Sequence, residues 1–310
     1  MKETVKLVVV AALALGSTSA FATNGDHMIG FSAKSRALGG TGIANFNGAD
    51  AALTNPSLLA KSKTINSFTF AGTMFTSDVK VKSTANPGVD RTSDEDMSMI
   101  PAIAISHRIS DTVVFGIGMY GTAGMGTDWR DGDTPATNNI GLYNMRSSLM
   151  LMQFAPSLAY GNDIFGVGLT AIMQYGALSI DYDTVQMVGG VPVNNHIGNG
   201  TSNDFGYGFQ IGGYYNPIES LTIGAVYKSA IEMEYKDQIS SAAAAFGYDG
   251  SGLAAKSDFL EQPAEYGIGV SYNMNNITYT MDIKEIKWSD AKGLHITEYP
   301  DTHVVSVRTV

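Results

Sequence analysis

From Ile65 onward, apolar residues recur at every second position, the period of a β-strand, whose successive side chains point to opposite faces. Val113, Phe115, Ile117 and Met119 share one predicted face, and Gly116, Gly118 and Tyr120 take the other. Phe165, Val167, Leu169, Ala171 and Met173 alternate with Gly166, Gly168, Thr170 and Gln174; Phe205, Tyr207, Phe209 and Ile211 alternate with Gly206, Gly208 and Gln210. Tyr266, Ile268, Val270 and Tyr272 alternate with Glu265, Gly267, Gly269 and Ser271, and Ile277, Tyr279, Met281 and Ile283 with Thr278, Thr280 and Asp282. The second face decides the class. A soluble sandwich would carry Lys, Glu and Arg on its wet side, whereas Gly, Thr, Ser and Gln suit the crowded polar lumen of a membrane barrel.

The spacing of the strands agrees. Reading strands at 64–76, 97–109, 112–121, 146–160, 164–176, 204–216, 220–229, 263–273 and 277–287, connections alternate between short and long. The short ones, Ser110-Asp111, Gly161-Asn162-Asp163, Pro217-Ile218-Glu219 and Met274-Asn275-Asn276, have tight-turn chemistry. The long ones, at 77–96, 122–145, 177–203, 230–262 and 288–302, are rich in Asp, Asn, Gly and Ser. Outer-membrane barrels have short periplasmic turns and long external loops, and a sandwich has no reason to alternate in this way. Tyr143, Tyr160, Tyr175, Tyr214, Tyr215, Tyr227 and Trp288 fall at or near strand ends, where aromatic girdles are expected.

Composition narrows the partners. A net charge of −10 argues against nucleic acid, and the absence of cysteine excludes a disulfide scaffold or thiolate metal site. Lys2 and Lys6 precede an apolar run at 7–15, Gly16 and Ser17 break it, and Ala20-Phe21-Ala22 gives an A-x-A cleavage site. Nine apolar residues are too few to cross a hydrocarbon core of about 30 Å as a helix, so 1–22 reads as a signal peptide and the mature chain as starting at Thr23.

The stretch 23–56 shows no sustained period and is rich in Gly, Ala and Asn. Gly39, Gly40, Gly42 and Gly48 supply turns, and Asn55-Pro56 ends it with a fixed φ. Such a segment reads as a plug that needs a container. Thr23-Asn24-Gly25, Gly30-Phe31, Ser35, Ala37, Gly39-Gly40, Gly42, Ala44, Asp50-Ala51-Ala52 and Thr54-Asn55-Pro56 resemble the mature start of FadL/TodX-type outer-membrane transport proteins, with Ser57 where the family's Asn-Pro-Ala signature has Ala. The resemblance implies an all-β fold, a transmembrane antiparallel β-barrel of about fourteen strands with the N-terminal plug inside its lumen. The division expected is signal peptide 1–22, plug 23–63 and barrel 64–310, truncated at the C-terminus, because 304–310 begins a tenth strand and stops.

Gly39-Gly40-Thr41-Gly42 lacks the preceding strand and following Gly-Lys of a phosphate loop. His27, His107, His196, His295 and His303 have no metal-ligand spacing, and the acids of 94–96 and 131–133 read as solvated loop charge. No Ser elbow accompanies His107, the one strand histidine, so no catalytic residue, metal or cofactor is expected. Within the loop 241–260, Phe246, Leu253, Phe259 and Leu260 form apolar surface expected to face water, corresponding to the outer loop where family members gather substrate. A fatty-acid carboxylate would want a cation: Arg108 and Lys228 have lumen-facing parity, and Arg36 and Lys34 lie in the plug. The family's lateral exit, a kink in the third strand, would fall at Gly116, Gly118 and Gly121.

The function expected is passive transport of long-chain fatty acids or other hydrophobic compounds, such as aromatic hydrocarbons, by a monomer in the outer membrane of a Gram-negative cell, among its lipid and lipopolysaccharide. The alternatives are an adhesive barrel whose outer loops bind a host surface or phage, and a general porin.

Overall fold

The computed structural model describes residues 27–82, 90–130, 142–244, 258–275, 277–293 and 301–309. Its strands are β1 (Asn66–Thr76), β2 (Lys80–Lys82), β3 (Asp90–Thr92), β4 (Met97–Arg108), β5 (Val113–Asp128), β6 (Leu142–Phe154), β7 (Ser157–Gly161), β8 (Phe165–Val188), β9 (Val191–Ile197), β10 (Thr201–Ile218), β11 (Leu221–Lys228), β12 (Glu265–Met274), β13 (Ile277–Ile286) and β14 (Thr302–Thr309). One antiparallel sheet runs β1-β4-β5-β6-β8-β10-β11-β12-β13-β14, with β7 beside β5 and β8, β9 beside β8, and β2-β3 a separate ribbon. No helix among the described residues is long and apolar enough to cross a membrane; the crossing elements are strands.

The faces sort as the alternation predicts. Phe70, Leu169, Phe205, Tyr207, Ile211 and Ile268 are exposed, while Ser157, Thr170, Gln174, Gln210 and Thr280 are buried. A protein folded in water does the reverse, so this sheet turns its oily face to hydrocarbon.

Three expectations need revising. The strand predicted at 146–160 is two, β6 and β7, because Pro156 has no N–H to donate; the register survives the break, with Met119 opposite Phe154 and Gly116 opposite Ser157. The long connection after residue 176 is not irregular: β8 continues to Val188 and returns as β9 through Gly189 and Gly190, whose φ of 61° and 85° suits a two-residue hairpin. The Gly- and Ala-rich stretch contains short helices that its composition did not announce. Ser32 caps Ala33–Ala37 through a reciprocal bond with Ser35, Ala51–Thr54 follows, and Asn55 caps the 3-10 turn Pro56–Lys61, accepting from the Ser57 amide at 3.2 Å.

Contacts of this segment reveal the curvature of the sheet. Its Ile43 amide donates to Asp282 on β13 and its Ala49 amide to Thr69 on β1, contacts six residues apart in the chain. Six residues reach at most about 20 Å, yet β1 and β13 are eight strand steps apart, about 38 Å in a flat sheet. The sheet must curl around the segment.

Candidate functional site

The segment meets the wall through apolar packing of Leu53, Leu58 and Leu59 and through a set of polar bonds. Asp282 Oδ2 accepts from the Gly42 and Ile43 amides at 2.7 and 3.0 Å. Asn55 Nδ2 donates to the Gly213 carbonyl at 3.1 Å, Thr170 Oγ1 to that of Ala52 at 2.6 Å, and Tyr120 OH to that of Ala49 at 3.4 Å. Within the segment, Ser32 Oγ donates to Asp50 Oδ2 at 2.6 Å, joining the first helix to the second. The wall glycines give this backbone room: a Cβ at Gly224 would overlap the Ile43 carbonyl, at Gly168 the Pro56-Ser57 peptide, and at Gly212 the Asn55 amide. Gly39 and Gly40 have φ of 66° and 80°, which other residues resist.

At the segment's end, Lys61 Nζ donates to Asn216 Oδ1 at 3.0 Å and Thr222 Oγ1 at 2.6 Å and lies 4.9 Å from the Tyr214 ring centroid. Burial pulls this ammonium down to about 8. Arg108 secures the same end. Its guanidinium donates to the carbonyls of Ala60 (2.8 Å), Ser62 and Asp111 (2.8 Å), so the residue expected to meet a substrate carboxylate is spent on backbone. Arg36 Nε likewise donates to the Gly30 carbonyl at 3.1 Å, and Lys34 is exposed.

Lys228, the remaining expected cation, lines a cleft beside the segment. Its volume is about 40 Å³, room for a few waters and not for an aromatic ring. Phe31, Leu53, Ile286 and Val304 are its apolar lining, and His27, Lys228, Glu265 and Lys284 its charged or titratable one. Lys228 Nζ stands 3.1 Å from Glu265 Oε1, and His27 Nδ1 lies 3.4 Å from the same oxygen. Lys228 therefore already has a carboxylate, supplied by the protein.

On the outer side, the expectation for Leu260 is corrected. Residues 230–235 and 258–262 fold inward as a narrow ladder: Ile231 and Gln262 exchange amide-carbonyl bonds of 2.9 and 2.8 Å, and the Leu260 amide donates to the Met233 carbonyl at 2.9 Å. Leu260 is buried with Ile231, Met233 and Tyr235 against Leu149, Leu151 and Ile172, over Gly176 and Gly206, where a Cβ would meet Tyr235 or Ile231. It packs because the loop turns into the sheet's concavity. Phe259 is half-buried opposite Glu234, and Phe246 and Leu253 lie outside the described residues, as do Asn24 and Gly25. Two expected girdle aromatics also point inward: Tyr214 is buried, its hydroxyl donating to the Asn162 carbonyl at 2.7 Å, and Trp288 is buried edge-on to His27.

The third strand in the wall, β5, is irregular, but not at each expected glycine. Gly116 and Gly118 sit in the regular ladder opposite Ser106 and Ala104; their missing side chains admit Leu59 and Tyr120. The bulge lies at Gly121/Ala123. Pairing between β4 and β5 runs only from Arg108–Val114 to Ala102–Tyr120, although both strands continue. Beyond it, residues 97–101 pair with β1 and 121–128 with β6, and the two sides are joined again where the Asp94 amide donates to the Asp128 carbonyl at 2.8 Å and the Asp128 amide to Ser93 Oγ at 2.9 Å, so the β4–β5 ladder is interrupted between these points. His27 bridges to Ala123 and the Met28 amide donates to the bulged Thr122 carbonyl at 3.1 Å, laying the start of the described chain along this edge. Sequence reasoning missed Lys61, Glu265, Asp282 and Lys284; the parity of the last three was readable, but the partners of Lys61, Glu265 and Asp282 lie far off in the chain.

The family model described as outer membrane protein transport protein (OMPP1/FadL/TodX) matches residues 8–308. A crystal structure of the P. putida toluene transporter TodX superposes with a TM-score of 0.67 over 91% of this chain and 79% of that one, at 18% identity. The Ralstonia pickettii toluene transporter TbuX gives 0.61 over 84% and 72%, at 20% identity. A Pseudomonas aeruginosa FadL homologue gives 0.61 over 92% and 77%, at 14% identity. At these identities the likeness is one of fold. A Chlorobium limicola protein described as an uncharacterized protein in the phosphoenolpyruvate carboxykinase gene 5' region is 42% identical over 59 residues, 19% of this chain and 29% of that protein. The chain thus spans less than a third of that curated relative.

Proposed function

The chain belongs to the OMPP1/FadL/TodX family of outer-membrane transport proteins, channels and not enzymes, and on that premise we propose that it carries long-chain fatty acids or aromatic hydrocarbons passively inward. Such solutes gain nothing from a watery pore. Moving about fifteen methylenes into water costs on the order of 12 kcal/mol at roughly 0.8 each, so the path must be greasy throughout. Phe246, Leu253 and Phe259 gather the solute outside, and it passes inward toward the cleft beside residues 23–63. The residues 23–63 act as a plug. The cleft beside them is too small for the cargo, so the plug shifts to enlarge it, and the solute leaves through the wall.

The observation that carries this reading is the interrupted ladder in the wall. β4 and β5 stop pairing beyond Ala102–Tyr120 and are bonded again at Asp94–Asp128, in a sheet whose outer face is oily, which suits sideways release of an apolar solute into the membrane through the unpaired stretch. A general porin has no use for such a gap, nor for a filled interior. The test is deletion of residues 23–56, followed by uptake of radiolabelled toluene and a long-chain fatty acid and by ion conductance. Loss of controlled uptake with a gain of small-ion leak is the expected result. Unchanged uptake, or retained surface adhesion as the chain's sole activity, would refute the proposal.

A further inference from the structure

We propose that Glu265 sets the charge preference of the cleft: by holding Lys228 it makes the site one for uncharged apolar molecules and disfavours carboxylates. This rests on reading the cleft as part of the transport path. Lys228 and Glu265 are direct partners in the β11–β12 ladder, and their side chains are only 8% and 17% exposed. The second lysine of the cleft, Lys284, lies opposite Gly267, one strand further on, within electrostatic reach of both Glu265 and Asp282. Asp282 lies outside the lining of the cleft and accepts from the Gly42 and Ile43 amides, so Lys228–Glu265 is the hydrogen-bonded lysine–carboxylate pair that the cleft holds before any ligand arrives.

A neutral solute competes for neither member of that pair and meets Phe31, Leu53, Ile286 and Val304. A carboxylate at Lys228 must either share it with Glu265 or displace Glu265, which then loses its hydrogen-bonded lysine. In a water-poor site that is strongly unfavourable. The other cations weighed for this role, Arg36 and Arg108, donate to backbone carbonyls away from the pair.

The experiment uses Gram-negative cells lacking their own hydrophobic-compound channels and expressing the full chain. The probes are radiolabelled hexadecanoic acid, its methyl ester and toluene. The expected result is entry of ester and toluene well above acid. Glu265→Gln, which frees Lys228, should raise the acid-to-ester ratio about tenfold, the low end for one hydrogen bond to a charged group. Glu265→Leu should move the ratio the same way, and the charge-swapped pair Lys228→Glu with Glu265→Lys should return it to the parent value, which packing damage would not do. Heat-dependent gel mobility confirms that each variant is folded. Equal entry of acid and ester in the parent, or a ratio unmoved in both folded single variants, overturns the inference while leaving transport standing. Failure of all three probes to enter above empty cells overturns the transport reading itself, and this inference with it.

Discussion

Replacing Asp282 with alanine should loosen the N-terminal segment from the wall. Its Oδ2 accepts two consecutive amides, from Gly42 at 2.7 Å and Ile43 at 3.0 Å, and the residue is 1% exposed. Alanine would leave both amides buried without an acceptor, at about 1–3 kcal/mol each. Two effects reduce the sum. Water can enter the space vacated, and the second carboxylate oxygen, buried with no hydrogen bond among the described residues, no longer has to be desolvated. A net loss of about 2 kcal/mol from seating is therefore the working figure, which multiplies the unseated population about 30-fold. Asp282→Asn keeps an acceptor and should cost about 1 kcal/mol, roughly fivefold. The assay is ion conductance of purified protein in planar bilayers, paired with limited proteolysis of residues 23–63. The predicted order of leak and of cleavage is alanine, then asparagine, then parent. If the alanine variant is as silent and as protected as the parent, the two amide bonds do not hold the segment.

Three further outcomes follow from the same contacts. Gly224→Val places carbon where the Ile43 carbonyl sits, so it should expose the segment to protease and raise conductance without moving the strands in circular dichroism. Leu169→Arg puts a charge on the outer face opposite Ile211 and should destabilise the folded chain by about 2–4 kcal/mol in urea titrations in lipid, whereas the same change made on an outer loop should not. Lys61, drawn from its ordinary 10.5 to about 8, binds its proton less tightly folded than unfolded. The penalty for burying its charge is complete below about 8 and is relieved as pH rises toward 10.5, so stability should climb across that window and Lys61→Met should flatten the climb.

Much of the architecture was written in local periods. Alternation at Phe205, Tyr207, Phe209 and Ile211 marked the oily face without reference to any other strand, because side-chain direction in a strand is a property of that strand alone. Most short connections and the polar inner face were legible for the same reason. Parity placed Glu265 and Asp282 on the inner face but could not say what stands opposite them. Lys228 meets Glu265 across a connection of 36 residues, from 229 to 264, and Asp282 meets Gly42 from 240 positions away. Leu260, Tyr214 and Trp288 were misplaced for a related reason: an apolar side chain on a loop or at a strand end goes wherever the backbone turns, and only the curled sheet supplies the concavity into which it can turn. The sequence by itself determined which way each strand faces. The folded sheet decided which charges pair, where the β4–β5 ladder is interrupted and how the N-terminal segment is held, because those depend on contacts between residues far apart in the chain.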